Sequence, residues 1–93
     1  MNFPEKIFQK KKILIYGMGK TGFSGFNYLK KKNQVYLHDL NNKIIKKKKL
    51  NKFFLPKSKV LKNKFDYILV SPGIDVNHCK LKKYLKKNSS KII

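Results

Sequence analysis

A parallel, doubly wound α/β sheet of about five strands, with helices on both faces, is the fold this sequence predicts. Three observations predict it. The apolar run at 13–16 passes straight into "GMGKTG" at 17–22, a G-x-G-x-x-G turn of the kind that joins a strand to a helix. Short continuous apolar runs then alternate along the chain with apolar residues at helical spacing. Finally, the strongest apolar run, "FDYILV" at 65–70, leads directly into a second glycine turn, "SPG" at 71–73. Strands that alternate with helices in this way build a Rossmann-like sheet.

The elements follow in order. The run at 13–16 has no polar alternation, as befits a strand covered on both faces. After the turn, Gly22, Phe26 and Leu29 fall at i, i+4 and i+7, with Phe23 beside them, and Lys30, Lys31 and Lys32 place cations near the end of that helix. "VYLHD" at 35–39 reads as the second strand. Asn41 and Asn42 offer an N-cap for a second helix that presents Ile44, Ile45, Leu50, Phe53 and Phe54 to the core and closes at Pro56. A third strand is expected at 59–61, the strongest one at 65–70, and then a helix with Leu81, Tyr84 and Leu85 on its apolar face. Asn88, Ser89 and Ser90 end that helix before a last strand at 91–93, giving the order β-α-β-α-β-β-α-β. Because the chain stops within an apparent strand, the reading expects a fragment of a longer protein.

Ninety-three residues suffice for one small domain, 1–93, and not for a multi-domain enzyme. The formal charge is +20, all 24 basic residues are lysine, and the only acids are Glu5, Asp39, Asp66 and Asp75. Such a surface attracts polyanions, and a lysine-driven, non-enzymatic polyanion binder is one reading of it. However, Arg, Trp and Ala are absent while Lys, Asn and Ile abound, which is the signature of AT-rich codons. The lysine runs also lack interleaved aromatics on which single-stranded bases could stack, so no specific nucleic-acid partner is expected. Cys79 has no second cysteine to pair with, and neither it nor His38 or His78 shows metal-ligand spacing. No run approaches the ~20 apolar residues that cross a bilayer, and the expectation is a cytoplasmic protein, monomeric and without membrane insertion.

The chemistry is expected at the carboxyl ends of three strands, where this architecture holds its ligands. Gly17 permits the tight turn, Gly19 lets the backbone approach a diphosphate without a Cβ in the way, and Gly22 lets helix and strand pack closely. The helix beginning at Lys20 and Thr21 presents unpaired N–H groups to an anion, the Thr21 side chain adds a hydroxyl, and Lys20 adds a cation if it turns inward. Asp39 stands 17 residues after Gly22 at the second strand end. There an acid accepts ribose hydrogen bonds in nicotinamide enzymes, which keeps an NAD-binding oxidoreductase domain open as a reading. At the third end, Ser71 supplies a hydroxyl, Pro72 a fixed φ, and Gly73 an approachable N–H. His38 is expected to be a packed or capped imidazole, Asp75 the cap of the helix that follows, and the tyrosines core or rim packing.

"YGMGKTG", the strand-end Asp39 and "VSPGI", in this order and spacing, resemble the N-terminal domain of the Mur ligases. The likeness is nearest to the branch that joins D-glutamate to UDP-N-acetylmuramoyl-L-alanine in peptidoglycan synthesis, and it runs from about residue 12 to 93. It implies that this domain holds the UDP part of the substrate, while a central domain binds ATP with Mg²⁺ and a C-terminal domain helps bind D-glutamate. In such ligases ATP phosphorylates the substrate carboxylate, and the amine displaces phosphate. By the same resemblance Gly19, Lys20 and Thr21 match the loop along the UDP, Asp39 and Leu40 the positions at the uridine end, and Ser71, Pro72 and Gly73 the turn that closes over it. The family often carries a small hydroxyl residue and then a basic one after the acid, whereas Leu40 and Asn41 stand here. A P-loop of the G-x-x-x-x-G-K-[ST] type is missing, since position 14, where "GKT" at 19–21 would need its first glycine, is Leu14. This chain is therefore expected to bind and not to catalyse, with no catalytic residue, metal or cofactor of its own.

Overall fold

The computed structural model describes residues 10–39, 43–47, 49–75, 77 and 79–93, and of Lys20, Thr21 and Ile44 the backbone alone. Three parallel strands form the sheet in the order β2-β1-β3: β1 Lys12–Tyr16, β2 Gln34–His38 and β3 Tyr67–Val70. Ile13 lies opposite Val35 on one side and Tyr67 on the other, and Tyr16 opposite His38 and Val70. The strand carboxyl ends are therefore level.

The apolar run at 13–16 is central because it is apolar on both faces, and pleating sends alternate side chains to opposite layers. Ile13 and Ile15 enter one core with Phe26 and Leu29 of helix α1 (Lys20–Leu29), Ile45 of α2 (Lys43–Lys47), Val35, Leu37 and Leu69. Leu14 and Tyr16 enter the other with Val60 of α3 (Lys57–Lys62), Leu85 of α4 (Lys82–Lys87), Phe65, Ile68 and Leu81. Helices thus cover both faces, as expected of a doubly wound sheet.

Among the described residues three full strands form, where about five were expected. Outside the three strands, Phe54 makes a single parallel bridge to Leu37, and Ile92 one to Ile68. Leu55 N–H donates to Leu37 O (2.8 Å) and Ile93 N–H to Ile68 O (2.9 Å). Each outer strand position is occupied by one bridging residue; at the last, a 3₁₀ turn at Ser89–Lys91 takes the first residue of the strand expected at 91–93.

The expected strand at 59–61 is helical instead. Pro56, expected to close the second helix, is the N-cap of α3, and Val60 is fully buried on that helix. Three residues are too few for apolar spacing to separate a strand from a helix turn. The second helix is also shorter than predicted. Lys49 adopts a left-handed φ of 57°, Lys49 N–H donates to Lys46 O (3.1 Å) and Leu50 N–H to Ile45 O (2.9 Å). That is a Schellman ending with lysine where glycine is usual. Lysines at three- and four-residue spacing repel along a helix and weaken its continuation. Phe53 and Phe54 still reach the core, from a 3₁₀ turn (Asn51–Phe53) and from the bridge. The expected cap at Asn41 and Asn42 lies outside the described residues.

Asn88 ends α4 as predicted: its backbone N–H and its Nδ2 both donate to Tyr84 O. Asp75 is not the N-cap of α4, which begins at Lys82; among the described residues its Oδ1 accepts from Asn77 N–H in the preceding segment.

Candidate functional site

The site is assembled by the ladder continuing one residue past the strands. Gly17 N–H donates to His38 O (2.8 Å) and Ser71 N–H to Tyr16 O (2.9 Å), which draws the ends of β2 and β3 against the turn that leaves β1. Gly17 has φ +94°, a conformation that side-chain-bearing residues rarely adopt, and a Cβ there would lie 2.7 Å from both Ile74 Cδ1 and Ser71 Cβ. At Gly22 a Cβ would stand 2.0 Å from the Gly17 carbonyl oxygen. The first and third glycines are thus required by the turn itself.

Gly19 is different. Its φ of −69° is ordinary, it is exposed, and among the described residues a Cβ would find only Ser71 Oγ, at 3.6 Å. Neither backbone strain nor crowding by the described residues calls for glycine at this position. The same measurement places the Ser71 hydroxyl directly across from the turn, so the two glycine motifs face one another.

Asp39 joins them from the second strand end. Its Oδ2 accepts the Met18 N–H at 2.7 Å, tying the acid to the middle of the G-x-G, while the Met18 side chain is buried beneath. Behind Asp39, His38 is 5% exposed, its Nδ1 bonds to Leu55 O at 2.8 Å, and its ring stacks on Phe54. The acceptor is a carbonyl, so Nδ1 carries the hydrogen and His38 is the packed imidazole the sequence suggested.

Helix α1 starts at this point with Gly19 as N-cap and no side-chain cap, and its first turn contains no acid. Phe23 N–H closes on Gly19 O (2.9 Å), so the N–H groups of Lys20, Thr21 and Gly22 precede the first intrahelical bond and point out of the helix start. Such a terminus attracts anions. Pro72 and Gly73 are exposed at the centre of a turn closed by Ile74 N–H to Ser71 O (3.0 Å). The structure therefore brings together Gly17, Gly19, Gly22, Asp39 and Ser71, with the Pro72–Gly73 turn beside them. The side chains of Lys20 and Thr21, and all of Leu40, lie outside what it describes. No group of three or more potential metal ligands occurs among the described residues.

Two features escaped the sequence reading. Close helix–strand packing depends on Gly25 as well as Gly22: a Cβ at Gly25 would lie 2.6 Å from Leu69 Cδ2 of β3. A glycine within the helical stretch was the available signal. The second is Tyr16, 1% exposed, whose buried hydroxyl lacks a hydrogen-bond partner of good geometry although the Cys79 thiol lies beside it. Burial, then Cys79, and more weakly Asp39 push its pKa up to about 12.

Over residues 11–93 the chain matches the family model of the Mur ligase MurD-like N-terminal domain. The chain belongs to that family. Membership ties this Mur ligase domain to the ligases of peptidoglycan synthesis and agrees with the resemblance carried by the two glycine turns and Asp39. No curated protein and no solved structure matches the chain significantly. Among the described residues, no helix of the Mur ligase domain is long and apolar enough to cross a membrane.

Proposed function

We propose that this domain holds the UDP part of UDP-N-acetylmuramoyl-L-alanine for a ligase that adds D-glutamate at the expense of ATP. The observation that carries this reading is Gly19: the fold does not need a glycine there, whereas a diphosphate approaching the uncapped start of α1 does. The backbone N–H groups of residues 20–22 would take the diphosphate, with the Thr21 hydroxyl and Lys20 as further donors. Asp39, held by Met18 N–H, would face the uridine end together with position 40. Ser71, Pro72 and Gly73 would close over it from β3. ATP and Mg²⁺ would be held by a central domain and D-glutamate with the help of a C-terminal one, because no P-loop occurs in this sequence. The domain acts in the cytoplasm, as a monomer.

The test is calorimetric titration with UDP-N-acetylmuramoyl-L-alanine and, separately, NAD, at ~0.15 M salt to screen the lysines. Saturable binding of the UDP compound alone is expected. Binding of NAD alone would move the domain to the oxidoreductases and overturn the reading.

A further inference from the structure

The opposite edge of the sheet carries a second concave surface. A cleft of about 480 Å³ is lined by Lys10, Lys11, Lys12, Lys31, Lys32, Asn33, Gln34 and Asp66. It lies at the amino ends of the strands, a strand's length (roughly 13 Å) from the glycine turn.

We propose that this cleft is a binding site for a small soluble oligophosphate, separate from the UDP site and independent of that assignment. The chain converges here from two directions: Lys10 to Lys12 enter β1, and Lys31 and Lys32 follow the end of α1. The convergence is fixed by two backbone bonds and one from the backbone to the Asn33 side chain. Lys10 N–H donates to Lys32 O (2.7 Å), Lys11 N–H to Asn33 Oδ1 (3.1 Å) and Gln34 N–H to Lys11 O (2.9 Å). Asn33 in turn anchors through Nδ2 to Leu29 O.

Among the described residues the five lysines meet one carboxylate, and Asp66 already accepts the Lys12 N–H on Oδ2 (2.8 Å). Lys12 itself is turned away from the cleft: its Nζ donates to Asn63 Oδ1 (2.6 Å) and sits over the Phe65 and Tyr36 rings. It acts as wall, and the lysines at 10, 11 and 31 supply the positive field. A cleft of this size suits a small molecule. Among the described residues the lining contains no aromatic side chain on which bases could stack, and a bare phosphate chain fits these residues better than a single strand.

General attraction by a +20 surface is the competing explanation, and it is separated by holding the charge change constant. Two triple variants each remove three lysines: K10Q/K11Q/K31Q at the cleft, and K46Q/K47Q/K86Q on exposed helix faces away from it. Each is titrated with inorganic tripolyphosphate at ~0.15 M salt, followed by amide chemical shifts. In the wild type, saturable shifts are expected at Lys11, Asn33 and Gln34. The cleft variant should weaken binding about tenfold or more and the control less than about twofold; Gly19→Leu should leave it unchanged. If the cleft triple variant does not fold, Lys31→Gln alone should cost about threefold. Equal weakening in both triples, shifts spread over every lysine segment, shifts at Gly19 with none at Lys11, Asn33 and Gln34, or displacement by a low concentration of oligo-dT would each overturn the proposal.

Discussion

Replacing Gly19 separates binding from folding, because the other two glycines of the turn cannot be changed without damage to the fold. In Gly19→Ala the new methyl meets Ser71 Oγ at 3.6 Å, an ordinary contact, with φ −69° and ψ −170° open to any residue. Alanine is a poorer N-cap than glycine by about 0.5–1 kcal/mol, and the lower entropy of its unfolded chain returns about 0.4–1 kcal/mol. The stability change should therefore lie within about 0.5 kcal/mol. Binding should behave otherwise. A leucine at the same position places a branched side chain where the diphosphate would meet the N–H groups of α1, and one or two charge-assisted hydrogen bonds are lost. At about 1.5–3 kcal/mol each, that is at least a tenfold rise in Kd for the UDP substrate. Urea denaturation and calorimetric titration of wild type, Gly19→Ala and Gly19→Leu together read both quantities. Unchanged substrate affinity in Gly19→Leu would refute the site. Unfolding of Gly19→Ala would refute the claim that the fold leaves this position free.

Gly22→Ala should be destabilised by about 3 kcal/mol, read by urea denaturation, because its methyl meets a backbone oxygen that cannot move aside. Gly25→Ala should lose less, about 1 kcal/mol in the same assay, since Leu69 Cδ2 is the end of a flexible side chain. Tyr16→Phe removes a poorly satisfied buried hydroxyl and should leave stability at pH 7 unchanged or raise it by about 1 kcal/mol. Above pH 10 the sign is fixed by linkage. The unfolded chain releases this proton near 10 and the folded one only near 12, so the folded state binds more protons in that window and stability falls as pH rises through it. Denaturation of wild type and Tyr16→Phe between pH 9 and 12 should show the difference growing in favour of the variant. Finally, a chain of net charge +20 repels itself, so its melting temperature should rise between ~0.01 and ~0.3 M salt.

Much of this structure was legible in the sequence because its strongest signals are local. Residues 13–16 are apolar without a break, and no placement but the centre of a covered sheet buries all four. The strand-to-turn junctions at Gly17 and Ser71 were legible for the same reason. What failed were segments whose state is decided by neighbours. Lys59-Val60-Leu61 suits a strand or a helix equally, and the core around Leu14, Tyr16 and Ile68 takes Val60 from a helix. Lys49 in a left-handed conformation has no composition signal at all. The bond from Met18 N–H to Asp39 spans 21 residues, and no spacing rule announces it.

The two proposed sites, at opposite ends of the strands, would attract anions in different ways. At the carboxyl edge, the described side chains at the turn are Asp39, Ser71 and Met18, none of them basic, and the donors are backbone N–H groups fixed by Gly17 and Gly22. Donors of that kind are oriented before the ligand arrives and are weakly screened by salt, so they favour a diphosphate of one shape over charge in general. At the amino edge the positive charge sits on long, exposed side chains whose attraction is strong at low salt and tolerant of shape. Raising the salt concentration should therefore abolish oligophosphate binding well before substrate binding. Of the 24 lysines the proposed substrate site would use Lys20 alone, so its selectivity would rest on the geometry of the backbone donors and not on the general charge.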